Sequence, residues 1–353
     1  MFMKKIWKLK NNDSVSIISL SSGVLGESFC EHQVKIGTKR LEDFSLKVKF
    51  TPNALKGLKY INENPDKRAN DLIWAIKNNE IRLILCAIGG NDTYRTIPYL
   101  LDNDYNKKII SSMNKIFLGY SDTTINHLMF NNLNVPTFYG QAFLTDLAEL
   151  DFEMLNYSKT AFKFLFSENK ITYKPSEFWY EERKQFGIEE LNTSRKIHKE
   201  EYGYISLQGK EKFQGILIGG CLESIADLFI DENKKDINKK YNLFTQNCNF
   251  KGKVLLLETS ELKLEPIKIK TMLEFIEKTN CFNELEGVLI GKPQNEAFFD
   301  EYKEIFSSFF KKFPNLSVVY NLNVGHSYPK MILQLLGKIE IDVKKQEITT
   351  YKA

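Results

Sequence analysis

Short apolar runs alternate with segments of helical periodicity through the first 135 residues. Val15–Leu20 and Ile81–Ile88 are such runs, which are typical of parallel strands covered on both faces. Arg68–Lys77 places its apolar residues at helical spacing, Asn91–Leu101 also has a helical pattern, and another apolar run ends at Leu118. This alternation predicts a parallel α/β layer, in which ligands bind at the carboxyl ends of the strands.

A second α/β pattern begins at Phe213, after a stretch without clear periodicity. The predicted strands are Gly215–Ile218, Lys253–Leu257, Gly287–Ile290 and Leu316–Tyr320, the predicted helices are Leu222–Ile230, Ile267–Lys278 and Phe299–Phe313, and Lys338–Thr350 is a terminal hairpin. The chain is therefore predicted to be an α/β protein of two domains. They are an N-terminal domain over residues 1–150 and a C-terminal domain over residues 209–353.

The stretch between the two patterns, residues 151–208, is rich in Lys, Glu, Tyr and Phe. We predict that it connects the domains. A long loop in a compact protein is uncommon unless it is functional, but a solvated linker is an equally open interpretation.

Composition excludes several classes of function. The net charge is only +4 over 353 residues, and lysines are interspersed with acids, so there is no basic stripe for nucleic acid. No apolar run approaches the ~20 residues that span a bilayer, and the basic N-terminus lacks the pattern of a signal peptide. The five cysteines are scattered without a C-x-x-C pair, which favours reduced thiols in a cytoplasmic protein over a zinc site.

The sequence F-L-G-Y-S-D-T at 117–123 joins a predicted strand to a predicted helix. A tight turn at this point would lift the Ser121 hydroxyl off the sheet and leave backbone N–H groups free for an oxyanion. The pattern is half of a nucleophile elbow, because Thr123 stands where the second glycine would be. The alternative is that Ser121 or Asp122 simply caps the following helix.

A serine nucleophile needs a base and an orienting acid. Of the four histidines in the chain, His326 is the best placed, because it follows a strand end and Gly325 in a constrained loop. Glu258 ends a buried strand, where a carboxylate without a partner would be costly. An ordinary surface histidine and an ion-paired glutamate are the alternatives.

Taken together, the motifs in the chain resemble those of the LD-carboxypeptidase family of serine peptidases, which includes the microcin-immunity peptidases. The matching segments, in chain order, are Ser21-Ser22, Ile88–Gly90, Gly119–Asp122, Tyr139-Gly140, Ile218–Ser224, Leu255–Glu258 and Val324–Lys330. The resemblance implies a Ser121–Glu258–His326 triad divided between an N-terminal domain with the nucleophile and a C-terminal, β-rich α/β domain. It also implies an oxyanion hole, placed at the N–H groups of Gly90 and Asp122, a homodimer, and no metal or cofactor.

Two subgroups of that family imply different substrates. Cytoplasmic LD-carboxypeptidases remove D-alanine from muropeptides during peptidoglycan recycling, and Arg95 resembles their carboxylate-binding arginine. Microcin-immunity-type members cleave an amide between an acidic residue and a nucleotide-like group, and Trp179 could stack on such a base or fill a hydrophobic patch. The partner is thus a small peptide or an aminoacyl-nucleotide-like molecule. A protein that sequesters a modified peptide without turnover is the alternative function.

Overall fold

The computed structural model describes residues 8–167 and 169–352. The first seven residues, where the basic N-terminal segment begins, lie outside the described residues. The described strands are β1 (Ser14–Ile18), β2 (Lys47–Phe50), β3 (Ile81–Cys86), β4 (Ile116–Gly119), β5 (Thr137–Tyr139), β6 (Lys170–Tyr173), β7 (Phe178–Tyr180), β8 (Ile197–Lys199), β9 (Ile205–Gln208), β10 (Lys212–Cys221), β11 (Lys253–Glu258), β12 (Gly287–Gly291), β13 (Ser317–Leu322), β14 (Leu333–Leu335), β15 (Lys338–Asp342) and β16 (Glu347–Tyr351).

The α-helices pack around the strands. They are α1 (Glu31–Asp43), α2 (Gly57–Glu63), α3 (Pro65–Lys77), α4 (Ile97–Leu101), α5 (Asp104–Ser111), α6 (Thr124–Asn132), α7 (Asn156–Lys163), α8 (Leu222–Ile230), α9 (Glu232–Tyr241), α10 (Pro266–Glu277) and α11 (Phe299–Phe310). Within the described residues, none of the helices is both long enough and apolar enough to cross a membrane.

The predicted α/β class is confirmed, and the strands form two main sheets. The first has the order β14-β5-β4-β3-β1-β2, and its five N-terminal strands are parallel. Nearly all residues of strands β1, β3 and β4 are buried, as expected for strands with continuous apolar runs. The carboxyl ends of β3 and β4 therefore meet at one edge.

The second sheet has the order β6-β16-β15-β10-β11-β12-β13-β9. Strands β10 to β13 are parallel, and antiparallel strands extend both sides. The predicted terminal hairpin is confirmed as β15 and β16. Strand β14, from the C-terminal part of the chain, instead pairs with β5 of the first sheet.

The stretch 151–208 contains more regular structure than its composition indicates. Strand β6 pairs with β16 and β9 pairs with β13, so this stretch supplies both edges of the second sheet. Strands β7 and β8 form a separate hairpin. These edge strands are short and half exposed, which explains why they lack a clear apolar pattern.

Asn91–Leu101, predicted as one helix, is divided into two elements. A 3₁₀ turn covers Thr93–Thr96, and α4 begins only at Ile97. Pro98 lies in the first turn of α4, where its missing N–H costs nothing, so the proline favours a helix start at this point.

The two sheets share a buried core. One cluster of buried apolar side chains joins Phe117 of β4 and Ile125 of α6 to Leu255 of β11 and Ile290 of β12. Thr124 at the start of α6 also accepts a hydrogen bond, at 3.0 Å, from the backbone N–H of Cys221. The strand ends of both sheets are therefore fixed relative to each other at the site described next.

Candidate active site

Ser121 stands at a strained turn between β4 and α6. Its φ is +64°, a left-handed conformation that a serine rarely adopts. Gly89, after β3, permits the approach: a Cβ there would lie 2.7 Å from Ser121 Cβ and 2.8 Å from its Oγ. The turn therefore has the geometry of a nucleophile elbow, although it lacks the second glycine.

Asp122 anchors the same turn through its side chain. Its carboxylate accepts hydrogen bonds from the Ser21 hydroxyl at 2.6 Å and from the Thr93 N–H at 2.8 Å. Burial raises the pKa of this carboxyl above its usual value, against the effect of these hydrogen bonds. The Asp122 side chain thus connects the segments that follow β1, β3 and β4. Neither Ser121 nor Asp122 makes a side-chain N-cap bond to the following helix, so the capping alternative is not what the structure shows.

The structure brings Ser121, His326 and Glu258 together in the predicted order. His326 Nε2 lies 3.1 Å from Ser121 Oγ, and its Nδ1 lies 2.8 Å from Glu258 Oε2. The loop after β13 carries His326, and its N–H donates to the same glutamate oxygen at 3.2 Å. Gly325 makes this approach possible, because a Cβ there would lie 2.1 Å from Glu258 Oε2.

Tyr139 completes the surroundings of Glu258. Its hydroxyl donates to Glu258 Oε1 at 2.6 Å and accepts from the Ser121 N–H at 3.1 Å. Burial, and then the nearby carboxylate, raise the pKa of Tyr139 well above its usual value, so the hydroxyl keeps its proton as a donor. The fully buried Glu258 carboxylate is therefore hydrogen-bonded on both oxygens.

A second carboxylate also contacts His326. Glu261 Oε2 lies 2.8 Å from Nε2, the nitrogen that also faces Ser121. Burial lowers the pKa of His326, but Glu258 and Glu261 outweigh it and raise that pKa to about 10. In this arrangement the imidazole is positively charged at neutral pH.

Two backbone N–H groups near Ser121 are available to an acceptor. Among the described residues, no backbone hydrogen bond outside the helices and strands involves the N–H of Gly90 or of Asp122. Both belong to the turns that follow β3 and β4. Their role as oxyanion donors stays a prediction.

Family models match both halves of the chain. The model described as the LD-carboxypeptidase N-terminal domain matches residues 15–140, and the model described as the C-terminal domain matches residues 214–341. The chain belongs to the LD-carboxypeptidase family. The predicted resemblance is thus confirmed, as is the two-domain α/β fold class.

Relatives within the family carry two kinds of name. A solved MccF-like protein from Streptococcus pneumoniae, in complex with AMP, is 44% identical, with a TM-score of 0.91 over 97% of this chain and 99% of that one. The microcin C7 self-immunity protein MccF of Escherichia coli is 22% identical, over 80% of this chain and 77% of its own. A probable murein peptide carboxypeptidase of Bacillus subtilis is 26% identical, over 71% of this chain and 64% of its own.

Two adjoining cavities open at the candidate site of this family member. The serine cavity, of about 340 Å³, is lined by Ser121, His326, Glu261, Glu182 and Phe186 among others. The outer cavity, of about 630 Å³, is lined by Lys59, Asn62, Asp92 and Glu261 among others. Both volumes are within the range of small-molecule sites, and residues 182 and 186 show that the stretch 151–208 contributes to the site.

Arg95 and Trp179, the predicted substrate-binding residues, line neither cavity. The Arg95 guanidinium donates to Asp92 at 3.0 Å and to the backbone oxygen of Asn62 at 2.9 Å. The Trp179 ring is buried and stacked on His198, with ring centroids 4.1 Å apart. The structure therefore does not bring these two side chains together with Ser121, and their binding roles stay predictions.

The other histidines have structural partners. His127 is fully buried between Thr137 and the Gly119 oxygen, and burial lowers its pKa to about 4.

Sequence reasoning missed the contacts of Tyr139 and Glu261. Tyr139 ends strand β5, which lies beside β4, and a tyrosine at a strand end next to the serine turn could have been recognised as a site residue from the sequence. Glu261 is exposed, and no pattern in a single sequence marks it as a site residue.

Proposed function

We propose that this protein is a serine amide hydrolase that acts on an acyl group joined to a nucleotide-like leaving group. The observation that carries the chemistry is the contact series from Ser121 Oγ through His326 to the buried Glu258. The nucleotide-like leaving group is supported by the 44% identity to the protein solved with AMP. Solved structures of MccF, at 18% identity, hold aspartyl sulfamoyl adenosine and glutamyl sulfamoyl guanosine.

The proposed reaction has two stages. Ser121 Oγ attacks the carbonyl carbon as its proton passes to His326 Nε2, and the N–H groups of Gly90 and Asp122 stabilise the oxyanion. His326 then gives the proton to the leaving nitrogen as the C–N bond breaks. Water, activated by His326, next cleaves the acyl-serine ester and releases the free acid.

Glu258 has a positioning and electrostatic role in this proposal. It is hydrogen-bonded to Nδ1, so it fixes the orientation of the imidazole and stabilises the imidazolium that forms during each stage. Tyr139 holds the other glutamate oxygen, and it also connects Glu258 to the backbone of Ser121. The cytoplasmic location remains a prediction from the cysteine pattern, and the homodimer remains a prediction from the family resemblance.

A paired turnover assay tests the proposal. Aspartyl sulfamoyl adenosine and an L,D-linked muropeptide tetrapeptide are each incubated with the protein and with Ser121→Ala, and products are identified by mass spectrometry. Release of aspartate by the unchanged protein alone is the expected result. Loss of D-alanine instead would assign the protein to muropeptides, and tight binding of either compound without product would favour sequestration.

A further inference from the structure

Glu261 occupies the boundary between the two cavities and lines both. It follows β11, and its neighbour Ser260 is anchored by Glu223: the backbone N–H and the hydroxyl of Ser260 donate to the buried Glu223 carboxylate at 2.8 and 2.9 Å. The Glu261 side chain, in contrast, is 58% exposed. The backbone is thus fixed while the carboxylate has room to turn.

In the observed arrangement this carboxylate competes with catalysis. His326 has a carboxylate at each ring nitrogen, Glu258 at Nδ1 and Glu261 at Nε2, both at 2.8 Å. Each nitrogen must carry a proton to satisfy its partner, and a doubly protonated imidazole cannot accept the proton of Ser121. The contact between Glu261 and His326 must therefore break before the serine reacts, and the Glu261 carboxylate is then available to another cation.

The serine cavity presents carboxylates to a cationic group, beside the charged His326. Of the described residues that line it, none is a lysine or an arginine, and two are glutamates. Glu182 is already hydrogen-bonded on both oxygens, because Arg195 donates to one and Gln294 to the other, each at 3.1 Å. Glu261 is therefore the carboxylate with capacity for an incoming cation.

We propose that Glu261 is a specificity-determining residue that exchanges His326 for the free amino group next to the scissile carbonyl of the substrate. Ser121 Oγ and Glu261 Oε2 each lie about 3 Å from the same nitrogen, so they are at most about 6 Å apart. In an aminoacyl substrate, the α-amino nitrogen is two bonds from the carbonyl carbon. Ser121 can therefore reach the carbonyl carbon while Glu261 contacts the amino group. This inference rests on the proposed function, and it makes aminoacyl compounds with an unblocked amine the preferred substrates, while compounds with a blocked amine are used less well.

Two compounds and two variants test the exchange. Aspartyl sulfamoyl adenosine and its Nα-acetyl counterpart are compared as substrates of the unchanged protein, of Glu261→Gln and of Glu265→Gln. Glu265 is an exposed acid near the same loop and serves as the matched control. Binding of both compounds is also measured by calorimetry in the Ser121→Ala protein, with and without Glu261→Gln, so that the result does not depend on turnover.

The expected result is a change in preference between the two compounds. Loss of a charge-assisted hydrogen bond should weaken use and binding of the free amine by about ten- to a hundredfold. The acetylated compound should not be weakened, because in Glu261→Gln it no longer has to displace a carboxylate from His326. An equal loss for both compounds, or no change for either, would overturn the inference.

Failure of the proposed function gives a different result. If the unchanged protein hydrolyses neither compound but Ser121→Ala binds the free amine more tightly than the acetylated form, and Glu261→Gln removes that difference, the inference stands without the hydrolase activity. If Ser121→Ala binds neither compound, both proposals are wrong.

Discussion

The charge on His326 predicts an unusual dependence of activity on pH. The imidazole must be neutral to accept the Ser121 proton, and kcat/KM reports the protonation of the free enzyme. With its pKa raised to about 10, His326 is neutral in about one molecule in 300 at pH 7.5. We therefore expect kcat/KM to rise roughly tenfold per pH unit between pH 7 and 9, and to level off near pH 10.

Glu261→Gln should move this midpoint to lower pH, because Glu261 is one of the two carboxylates that raise the pKa of His326. Glu258 still faces Nδ1, so part of the increase should remain. Tyr120 also packs against the imidazole, with ring centroids 5.1 Å apart. Burial, and next Asp146, raise its pKa well above its usual value, so it stays neutral over this range.

The assay uses the Nα-acetyl substrate, which has no amino group to titrate, at constant ionic strength. Intrinsic fluorescence at each pH shows that the protein stays folded, and Glu265→Gln is the control. A profile that is flat between pH 7 and 9, or a midpoint near 6.5, would refute the assignment of a charged His326. An unchanged midpoint in Glu261→Gln would show that the Glu261 contact does not influence the base.

Four further outcomes follow from the site. Glu258→Gln should lower kcat by about 10⁴-fold with little change in KM, because the imidazolium loses its counter-charge; steady-state kinetics measure both, and a small loss would contradict the orienting role. Gly89→Ala should lower kcat by at least about 100-fold, because the new Cβ would displace Ser121, whereas a normal kcat would show that the turn relaxes. The wild type should be more stable to unfolding than His326→Gln, with the full difference in unfolding free energy below pH 6.5 and a smaller one as the pH approaches 10, because the folded-state pKa of His326 is raised. Urea titrations at pH 6 and pH 10 measure this difference, and an equal difference at both values would contradict the prediction. Arg95→Ala should leave KM for aspartyl sulfamoyl adenosine unchanged, because its guanidinium is bound within the protein, and a large increase would restore its predicted role.

The hydrophobic pattern predicted the elements that are buried on both sides. Strands β3 and β11 begin where predicted, since burial on both faces leaves a continuous signal. Helix α8 also begins where predicted, from the helical spacing of its apolar residues. Helix α11 ends at Phe310 rather than at the predicted Phe313. Pro314 disfavours helical geometry in the residue before it, so the apolar spacing alone overextends the helix.

Pairings between distant segments could not be predicted in this way. Strand β14 has only three residues, and nothing in L-Q-L indicates that it joins the other sheet. The proximity of Ser121, Glu258 and His326 could be predicted because each lies at or just after a strand end, where parallel sheets place their ligands. The contact of Glu261 with His326 could not be predicted, because Glu261 lies in a loop three residues beyond the end of β11 and no sequence pattern fixes where its side chain points.

The pairing of β14 with β5 has a consequence for biosynthesis. The loop with His326 and strand β14 leave the ribosome about 200 residues after Ser121. A nascent or truncated chain that ends before them has its serine but no base, and the edge of β5 is left without its partner strand. The proposed hydrolytic activity and the completion of the first sheet therefore depend on the same late segment, so chains that end before it are expected to be inert.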